Sequence, residues 1–283
     1  MKRTLTVRLS GGMLALLGAW TAYTQGPLSV KQLKDNLYII EGTSNGASDA
    51  GNIAVYVTGD GVILVDDRFD ADYPQVMAAV TKITSQPVKY VINTHHHGDH
   101  TGSNAKMLPT AEIIMQANAR RHMVEKDMPG VPRITFTKES SAFLGGKEVR
   151  AIYYGRGHTD GDIAVYIPEH KAVHLGDLLA GTRGVTNPVM DYSSGGSINA
   201  WPSTLDGVLK LDLAIVIPGH GSVMDKAGLQ AHRDKVEAIR GRVSGLIREK
   251  KSKDEISKLL VSEFDYKPIN LRGLDGMLME LKN

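Results

Sequence analysis

The chain has 283 residues, 42% of them hydrophobic and 23% charged, and its 33 Lys and Arg against 31 Asp and Glu leave a formal charge of +2. This is the composition of an ordinary globular protein, so it excludes disordered, collagen-like and multi-span membrane classes. The near balance of charge lacks the basic excess of a protein that neutralises phosphates, so we expect no nucleic-acid partner. Because the sequence has no Cys, any bound metal has to be held by His, Asp or Glu.

The N-terminus has the pattern of a signal peptide. Lys2, Arg3 and Arg8 are followed by an uncharged, mostly apolar segment that is too short to span about 30 Å of hydrocarbon. We therefore predict that residues 1–24 are a signal peptide and that the protein is periplasmic or secreted; an uncleaved anchor and a disordered leader are the alternatives. Residues 25–283 are expected to form one domain that makes no further contact with a membrane.

Short strand-like runs come first after this segment. They are Leu37–Ile40, Ile53–Val57 and Val62–Val65, and an Asp-Gly turn between the last two predicts an antiparallel meander. Helices and strands then alternate: a helix near residues 73–80, a strand at Val88–Ile92, a helix from Ser103, a strand at 113–115 and a helix over 117–126. Such alternation predicts a sheet with one face covered by helices.

The second half of the chain again places strands before helices. Strands are predicted at residues 142–144, 149–154, 163–167, 172–175 and 214–217, and helices at residues 198–210, 226–250 and 256–264. No linker separates the two halves. The order predicts an α/β fold of four layers, an αββα sandwich in which two mixed β-sheets pack face to face and helices flank both.

The most informative segment, residues 93–102, follows a predicted strand and reads Asn-Thr-His-His-His-Gly-Asp-His-Thr-Gly. Imidazoles and a carboxylate are costly to crowd together unless a cation satisfies them. His95 and His97 lie two apart and can point the same way from extended backbone, while Asp99 and His100 follow a glycine that permits a bend. The cluster therefore supplies ligands for two metal sites.

Three further candidate ligands stand in glycine-containing loops after other predicted strands. They are His158 in Gly-His-Thr, Asp177 in Leu-Gly-Asp and His220 in Pro-Gly-His-Gly. Each one alone is more typical of a capping or core residue, but their combination with the cluster favours metal ligation. Surface decoration or an engineered tag, the alternative reading of a histidine run, leaves Asp99 and the preceding strand unexplained.

These motifs, in this order, closely resemble those of the metallo-β-lactamase superfamily over roughly residues 35–225. The resemblance implies the αββα fold, with the site at one edge of the sandwich. It implies a first metal held by His95, His97 and His158 and a second metal held by Asp99, His100 and His220. Asp177 resembles the carboxylate that bridges both metals in the hydrolase branches of the family.

Two divalent cations about 3.5–4 Å apart can share a water and lower its pKa towards about 7, which gives a hydroxide that attacks a carbonyl. Asp99 is the candidate catalytic residue, because it can hold its metal, accept a hydrogen bond from the nucleophile and pass a proton to the leaving group. Imidazole and carboxylate ligands favour zinc, although iron and manganese also suit them.

The leading hypothesis is an exported dinuclear hydrolase that cleaves a lactone, an ester or a β-lactam amide of a small substrate. The β-lactamase branches that this chain resembles usually have Cys or another non-bridging residue at the place of Asp177, and one has Lys where this chain has Ala180. We therefore expect weak β-lactam turnover. The alternatives are a glyoxalase-II-like thioesterase, which export disfavours, and an iron-dependent redox member of the same fold, which the full ligand set disfavours.

Two residues that follow Asp177 in the chain are candidates for substrate binding. Arg183 can clamp a carboxylate in a bidentate manner, and Tyr192 can donate a hydrogen bond to an oxyanion, as can its serine neighbours. Two others are candidates to support the ligands from behind: Asp66, with Asp67 as an equal alternative, and His174.

The remaining histidines carry no metal in this interpretation. His96 is expected to point away from its neighbours and either to pack or to meet solvent. His122, His170 and His232 are expected at the surface.

Overall fold

The computed structural model describes residues 28–42, 50–182, 185–268 and 270–282. The predicted signal peptide, residues 1–24, and the candidate Arg183 lie outside the described residues. Within the described ranges, none of the helices combines the length and the apolar character needed to cross a bilayer.

The first sheet has seven strands that lie side by side in chain order. The first four are antiparallel to one another, and the last three add in parallel. They are β1 (Val30–Lys34), β2 (Leu37–Ile40), β3 (Ile53–Val57), β4 (Val62–Val65), β5 (Val88–Ile92), β6 (Glu112–Gln116) and β7 (Ile134–Phe136). Parallel neighbours need crossover connections, and helices supply them: α1 (Tyr73–Ile83), α2 (Gly98–Thr101), α3 (Asn104–Met107) and α4 (Ala117–Glu125).

The second sheet has five strands in the order β14-β11-β10-β9-β8, and β11 and β14 form its parallel pair. Its strands are β8 (Glu139–Leu144), β9 (Lys147–Ile152), β10 (Ala164–Ile167), β11 (Ala172–His174) and β14 (Ile215–Ile217). A separate ribbon consists of β12 (Gly181–Thr182) and β13 (Val185–Thr186). The helices of this half are α5 (Trp201–Val208), α6 (Lys226–Arg248), α7 (Lys253–Phe264) and α8 (Leu274–Lys282).

Alternation of side chains along the strands builds three apolar layers. Tyr56 of the first sheet and Ile167 of the second belong to one buried cluster between the sheets. Leu64 points to the opposite face, where it joins a cluster with α1. Tyr166 likewise joins the cluster that α5, α6, α7 and α8 form on the outside of the second sheet. The predicted αββα sandwich is therefore confirmed.

Six elements were not predicted from the sequence: the short helix α2, the two-residue strands β12 and β13, and three others, β1, β7 and α8. The strands β1 and β7 lie at the two edges of the first sheet, and because most of their side chains are at least partly exposed they lack the apolar alternation that marks a strand. The element α8 is a short helix at the end of the chain. The long helix, predicted to reach residue 250, ends at Arg248.

Candidate metal centre

The candidate ligands lie at one edge of the sandwich, beyond the carboxyl ends of two parallel strand pairs, β4 with β5 and β11 with β14. Loops that follow parallel strands meet at such an edge, which is why α/β folds place their sites there. Asn52 joins the two sheets at this point. Its backbone N–H donates to the Gly219 carbonyl (2.7 Å), and its side-chain amide donates to the Pro218 carbonyl (2.8 Å).

The first group of candidate ligands consists of three imidazoles. One nitrogen each from His95, His97 and His158 lie within 4.8 Å of one another. His158 Nε2 is 2.9 Å from His97 Nδ1. Nitrogens about 2.1 Å from a common tetrahedral cation are about 3.4 Å apart, so small shifts of these rings would let all three nitrogens bind one metal.

The second group combines a carboxylate with two imidazoles. Asp99 Oδ2 lies 3.3 Å from His100 Nε2 and 3.1 Å from His220 Nε2. The loop after β5 thus contributes to both groups, since its first two candidate ligands face the first group and its last two face the second.

Asp177 lies between the two groups. Its Oδ1 is 3.4 Å from both His100 Nε2 and His220 Nε2, and its Oδ2 is 3.7 Å from His158 Nε2. Each carboxylate oxygen therefore faces one group, which is the arrangement of a bridging ligand. A Cβ on Gly219 would lie 2.2 Å from Asp177 Oδ1, so the close approach of these two loops requires glycine at that position.

In the part of the chain that the structure describes, three buried atoms of these groups lack hydrogen-bond partners, which bears on whether the site fits two metal ions. His95 Nε2, His100 Nε2 and Asp177 Oδ1 accept or donate no hydrogen bond among the described residues. Burying polar atoms without partners is costly. Nitrogen and carboxylate donors are those that zinc, and also iron or manganese, accept. The residues present therefore fit two divalent cations.

The charges of the carboxylates also suit cations. Burial raises the pKa of Asp99, but His100 and His220 outweigh this effect and hold the pKa well below its usual range. Burial acts on the pKa of Asp177 in the same way, and the same two imidazoles again lower it further than burial raises it. Both side chains are therefore anions at neutral pH, the form in which carboxylates bind metal.

The imidazoles differ in their protonation. Burial, together with the neighbouring imidazoles, holds the pKa of His95 well below its usual value, so this ring is neutral. Burial alone would also lower the pKa of His100, but Asp99 and Asp66 raise it well above the usual value. A cation that binds the second group therefore has to displace a proton from His100.

Asp66 and Asp67 were the two candidates to orient a ligand imidazole, and in the structure Asp66 is the one that contacts a candidate ligand. Asp66 Oδ2 is 2.8 Å from His100 Nδ1, and the same side chain accepts hydrogen bonds from the backbone and hydroxyl of Thr94. Asp66 has a left-handed backbone (φ 64°), which is strained for a residue with a Cβ. Asp67 instead accepts a hydrogen bond from the Ser103 N–H.

His174 supports the site through the backbone. Its Nδ1 accepts a hydrogen bond from the Gly176 N–H (3.1 Å), and its Nε2 lies 3.1 Å from the Asn52 carbonyl oxygen. It thus holds the loop that carries Asp177, and among the described residues it has no hydrogen bond to another imidazole.

Asp191 contacts a candidate ligand and was not predicted from the sequence. Asp191 Oδ2 is 3.0 Å from His97 Nε2 and also accepts a hydrogen bond from the Ser194 hydroxyl (2.6 Å). Burial raises the pKa of Asp191, but hydrogen bonds from His97 and two serines hold it well below its usual range. Asp191 stands in no motif, and the Asp-x-Ser-Ser run around it indicates only a local turn.

The surface predictions for two histidines are wrong. His122 is 5% exposed and lies 2.7 Å from Asp160 Oδ1, because α4 turns this side chain inward. His232 is 2% exposed and packs edge-on against Trp201. His170 is half-buried. His96 is fully buried and packs within this region, with its Nε2 3.0 Å from Lys126 Nζ.

A cavity of about 630 Å³ opens onto both ligand groups. Tyr192 lines it, but its hydroxyl donates to Glu280 Oε2 (2.9 Å), so the hydroxyl is not free to bind an oxyanion as the sequence analysis expected. The hydroxyls of Ser193 and Ser194 are likewise engaged, because both donate to Asp191. A contact between substrate and the Tyr192 ring stays a prediction.

The chain is similar to known proteins over most of its length. The model of the metallo-β-lactamase superfamily matches residues 47–220. The metallo-β-lactamase type 2 of Bacillus cereus is 28% identical in an alignment of 220 positions that covers 73% of this chain and 81% of that protein. The β-lactamase-like protein 2 homolog of Caenorhabditis elegans is 24% identical in an alignment of 264 positions that covers 89% of this chain and 85% of that protein.

Solved structures agree on the fold. The DIM-1 metallo-β-lactamase is 21% identical, with a TM-score of 0.65, and covers 75% of this chain and 98% of its own. The metallo-β-lactamase from Pontibacter korlensis is 20% identical, with a TM-score of 0.63, and covers 74% and 99%. At this identity the likeness shows the fold alone. Because the family match spans more than half of the residues, the chain belongs to the metallo-β-lactamase superfamily.

Proposed function

We propose that the protein is a hydrolase that holds two divalent cations and cleaves a carboxylic acyl bond of a small substrate. Zinc is the metal that we propose first. The observation that carries the proposal is the position of Asp177, whose two oxygens face the two ligand groups. His95, His97 and His158 would hold the first cation. Asp99, His100 and His220 would hold the second.

Bound there, two cations would supply the Lewis acidity that polarises an acyl carbonyl and turns water into a nucleophile near neutral pH. The protein orients the ligands from behind, since Asp66 fixes the ring of His100 and Asp191 that of His97. Asp99 directs Oδ2 at two imidazoles, which leaves Oδ1 to accept a proton from the attacking water and return it to the leaving group.

The proposed substrates are lactones, esters and β-lactams, in that order. Relatives named metallo-β-lactamase type 2 support a β-lactam, because their identity to this chain reaches 28%. Asp177 disfavours efficient β-lactam turnover, since a bridging carboxylate is more typical of superfamily hydrolases other than the β-lactamases. The cavity of about 630 Å³ suits a small molecule.

A substrate panel tests the proposal. Zinc-loaded protein is assayed with nitrocefin, acyl-homoserine lactones, 4-nitrophenyl esters and a glutathione thioester, with and without a chelator. We expect hydrolysis of at least one lactone or ester, loss of that activity with chelator, and about two zinc ions per chain by metal analysis. Absence of turnover across the panel, or a single iron in protein purified without added metal, would contradict the proposal.

We also propose that the protein is exported and that residues 25–283 form the mature domain. The basic start followed by a short apolar segment supports this. N-terminal sequencing of the protein from a periplasmic fraction is expected to give a start near Gln25, and recovery of the intact N-terminus from the cytoplasm would contradict export.

A further inference from the structure

The end of the chain forms part of the wall of the metal-site cavity. A single helical turn, Asn270–Gly273, leads into α8, and both lie beyond the residues 47–220 that the superfamily model matches. Arg272, Gly273 and Gly276 line the same cavity as the candidate ligands. This part of the cavity therefore belongs to the chain's own C-terminal segment, defined here as residues 270–282.

The C-terminal segment is fixed on the cavity wall. Glu280 Oε2 accepts hydrogen bonds from the Tyr192 hydroxyl (2.9 Å) and the Ile198 N–H (3.0 Å), and Glu280 Oε1 accepts one from the Ser197 hydroxyl. A Cβ on Gly276 would lie 2.2 Å from Cδ2 of the Tyr192 ring, so the backbone of α8 rests directly on that ring. Apolar side chains of α8 also join the outer core cluster of the second sheet.

Arg272 contributes a positively charged side chain to this wall. Its side chain is exposed and, within the residues that the structure describes, makes no hydrogen bond and no salt bridge. Other arginines of the chain contrast with it, since Arg233 and Arg242 each hold a carboxylate through two nitrogens. A guanidinium stays charged at all physiological pH values, so Arg272 brings an unpaired positive charge to the cavity.

The carboxylates that share the cavity face groups other than Arg272. Asp191 accepts hydrogen bonds from His97 and two serines, and Asp99 and Asp177 face imidazoles of the ligand groups. Arg272 is therefore available to an anion that enters from outside. A planar carboxylate matches the fork of one guanidinium, which can bind it through two parallel hydrogen bonds.

We propose that Arg272 binds a carboxylate of the substrate, so that the C-terminal segment selects acyl compounds that carry a carboxylate apart from the bond that is cleaved. The inference rests on the proposed hydrolase function and adds to it the substrate class and the residue that selects it. Arg272 takes the role that the sequence analysis gave to Arg183.

Two esters of equal acyl length test the inference in the zinc-loaded full chain: mono-4-nitrophenyl glutarate, which has a free carboxylate, and 4-nitrophenyl pentanoate, which has none. Arg272→Ala is expected to raise the KM for the glutarate ester about tenfold. It should leave both kcat and KM for the pentanoate ester unchanged. Arg272→Lys should restore part of the loss. The matched control is Lys282→Ala, which removes a positive charge from the same segment outside the cavity and should change neither KM.

A binding measurement separates this inference from the proposed function. Glutaranilic acid, a stable carboxylate, is titrated by calorimetry into metal-free wild type and Arg272→Ala, and we expect about tenfold weaker binding to the variant. If wild type hydrolyses neither these esters nor any compound of the substrate panel but the calorimetric difference is found, the proposed function fails and carboxylate binding by Arg272 stands. Equal affinities of the two proteins for glutaranilic acid, or equal effects of Arg272→Ala on both esters, would overturn the inference.

Discussion

Each candidate ligand imidazole of the loop after β5 has its second ring nitrogen engaged. His97 Nε2 faces Asp191, and His100 Nδ1 faces Asp66. His95 Nδ1 lies 3.2 Å from the Thr94 hydroxyl. Such outer contacts fix the orientation and the tautomer of the ring and so determine how well it binds a metal.

Asp191→Ala is therefore expected to weaken binding of the first cation. Without the carboxylate, His97 loses the acceptor for its Nε2–H, and loss of such a partner typically costs about 10- to 100-fold in metal affinity. Zinc affinity is measured by competition with a chromophoric chelator. Asp160→Ala is the matched control, because Asp160 holds His122, which is no candidate ligand. Equal affinities of the two variants would contradict the role of Asp191.

Asp99 and His96 should respond to substitution in opposite ways. Asp99→Ala is expected to abolish hydrolysis and to loosen the second cation, because the group at His100 and His220 loses its carboxylate. His96→Ala should keep both cations but lower the free energy of unfolding by about 1–3 kcal/mol, because it removes a fully buried ring and its partly buried hydrogen bond with Lys126. Metal analysis and denaturant unfolding separate the two outcomes, and loss of metal from His96→Ala would refute the assignment.

His232 should make stability depend on pH. Burial lowers its pKa from 6.5 to about 4. In acid the unfolded chain binds this proton first, so the contribution of His232 to stability is complete above pH 6.5 and is lost as the pH falls through about 4. The difference in unfolding free energy between wild type and His232→Phe is expected to change by about 3 kcal/mol across this window. A pH-independent difference would show that the ring is not buried in its neutral form.

At the level of elements, the sequence predicts those parts whose pattern is local. The buried runs of β3 and β4 with their Asp-Gly turn, and the helical spacing of α6, are visible in the sequence alone. The exposed edge strand β1 carries no such pattern, and α8 owes its place to contacts made by Glu280. The strand β1 could not be predicted, because pairing with its neighbour determines it. For α8 there was a local signal that went unused, since Leu274, Met277, Leu278 and Leu281 have helical spacing and pack in the outer core cluster.

The residues of the candidate site likewise divide into those that a local motif predicts and those that have no motif. The His-x-His-x-Asp-His cluster and the three loop motifs indicate seven ligands, because each stands at the end of a strand. Asp191 and Arg272 have no motif, and their roles depend on how a turn and a C-terminal helix pack against the cavity. The burial of His122 and His232 was also hidden, since a histidine on a helix faces the core or solvent according to the packing of the whole helix.

The attachment of α8 can be tested by Glu280→Ala. The substitution removes the acceptor for the Tyr192 hydroxyl and the Ile198 N–H, so we expect a loss of about 1–3 kcal/mol in unfolding free energy and faster proteolysis within residues 270–282. The comparison is Ser252→Ala, which removes the capping box of α7 and should cost about 1 kcal/mol without faster cleavage there. Equal cleavage rates in both variants would mean that Glu280 does not hold α8.

For the whole molecule, the two sheets meet at the proposed metal centre. The loop after β5 of the first sheet supplies four candidate ligands, and loops of the second sheet supply the other three. Cations bound there would tie the sheets together in addition to the apolar layer between them, and to the hydrogen bonds of Asn52. Global stability should therefore depend on metal.

We expect a chelator to lower the melting temperature and added zinc to restore it. By mass action, free zinc at about 1,000 times its dissociation constant stabilises the folded state by about 4 kcal/mol. Magnesium is the control: it prefers an octahedral shell of oxygens and should restore little. Asp177→Ala, which removes the carboxylate between the groups, should reduce the gain from zinc. A melting temperature that is the same with chelator and with zinc would show that no cation joins the two sheets.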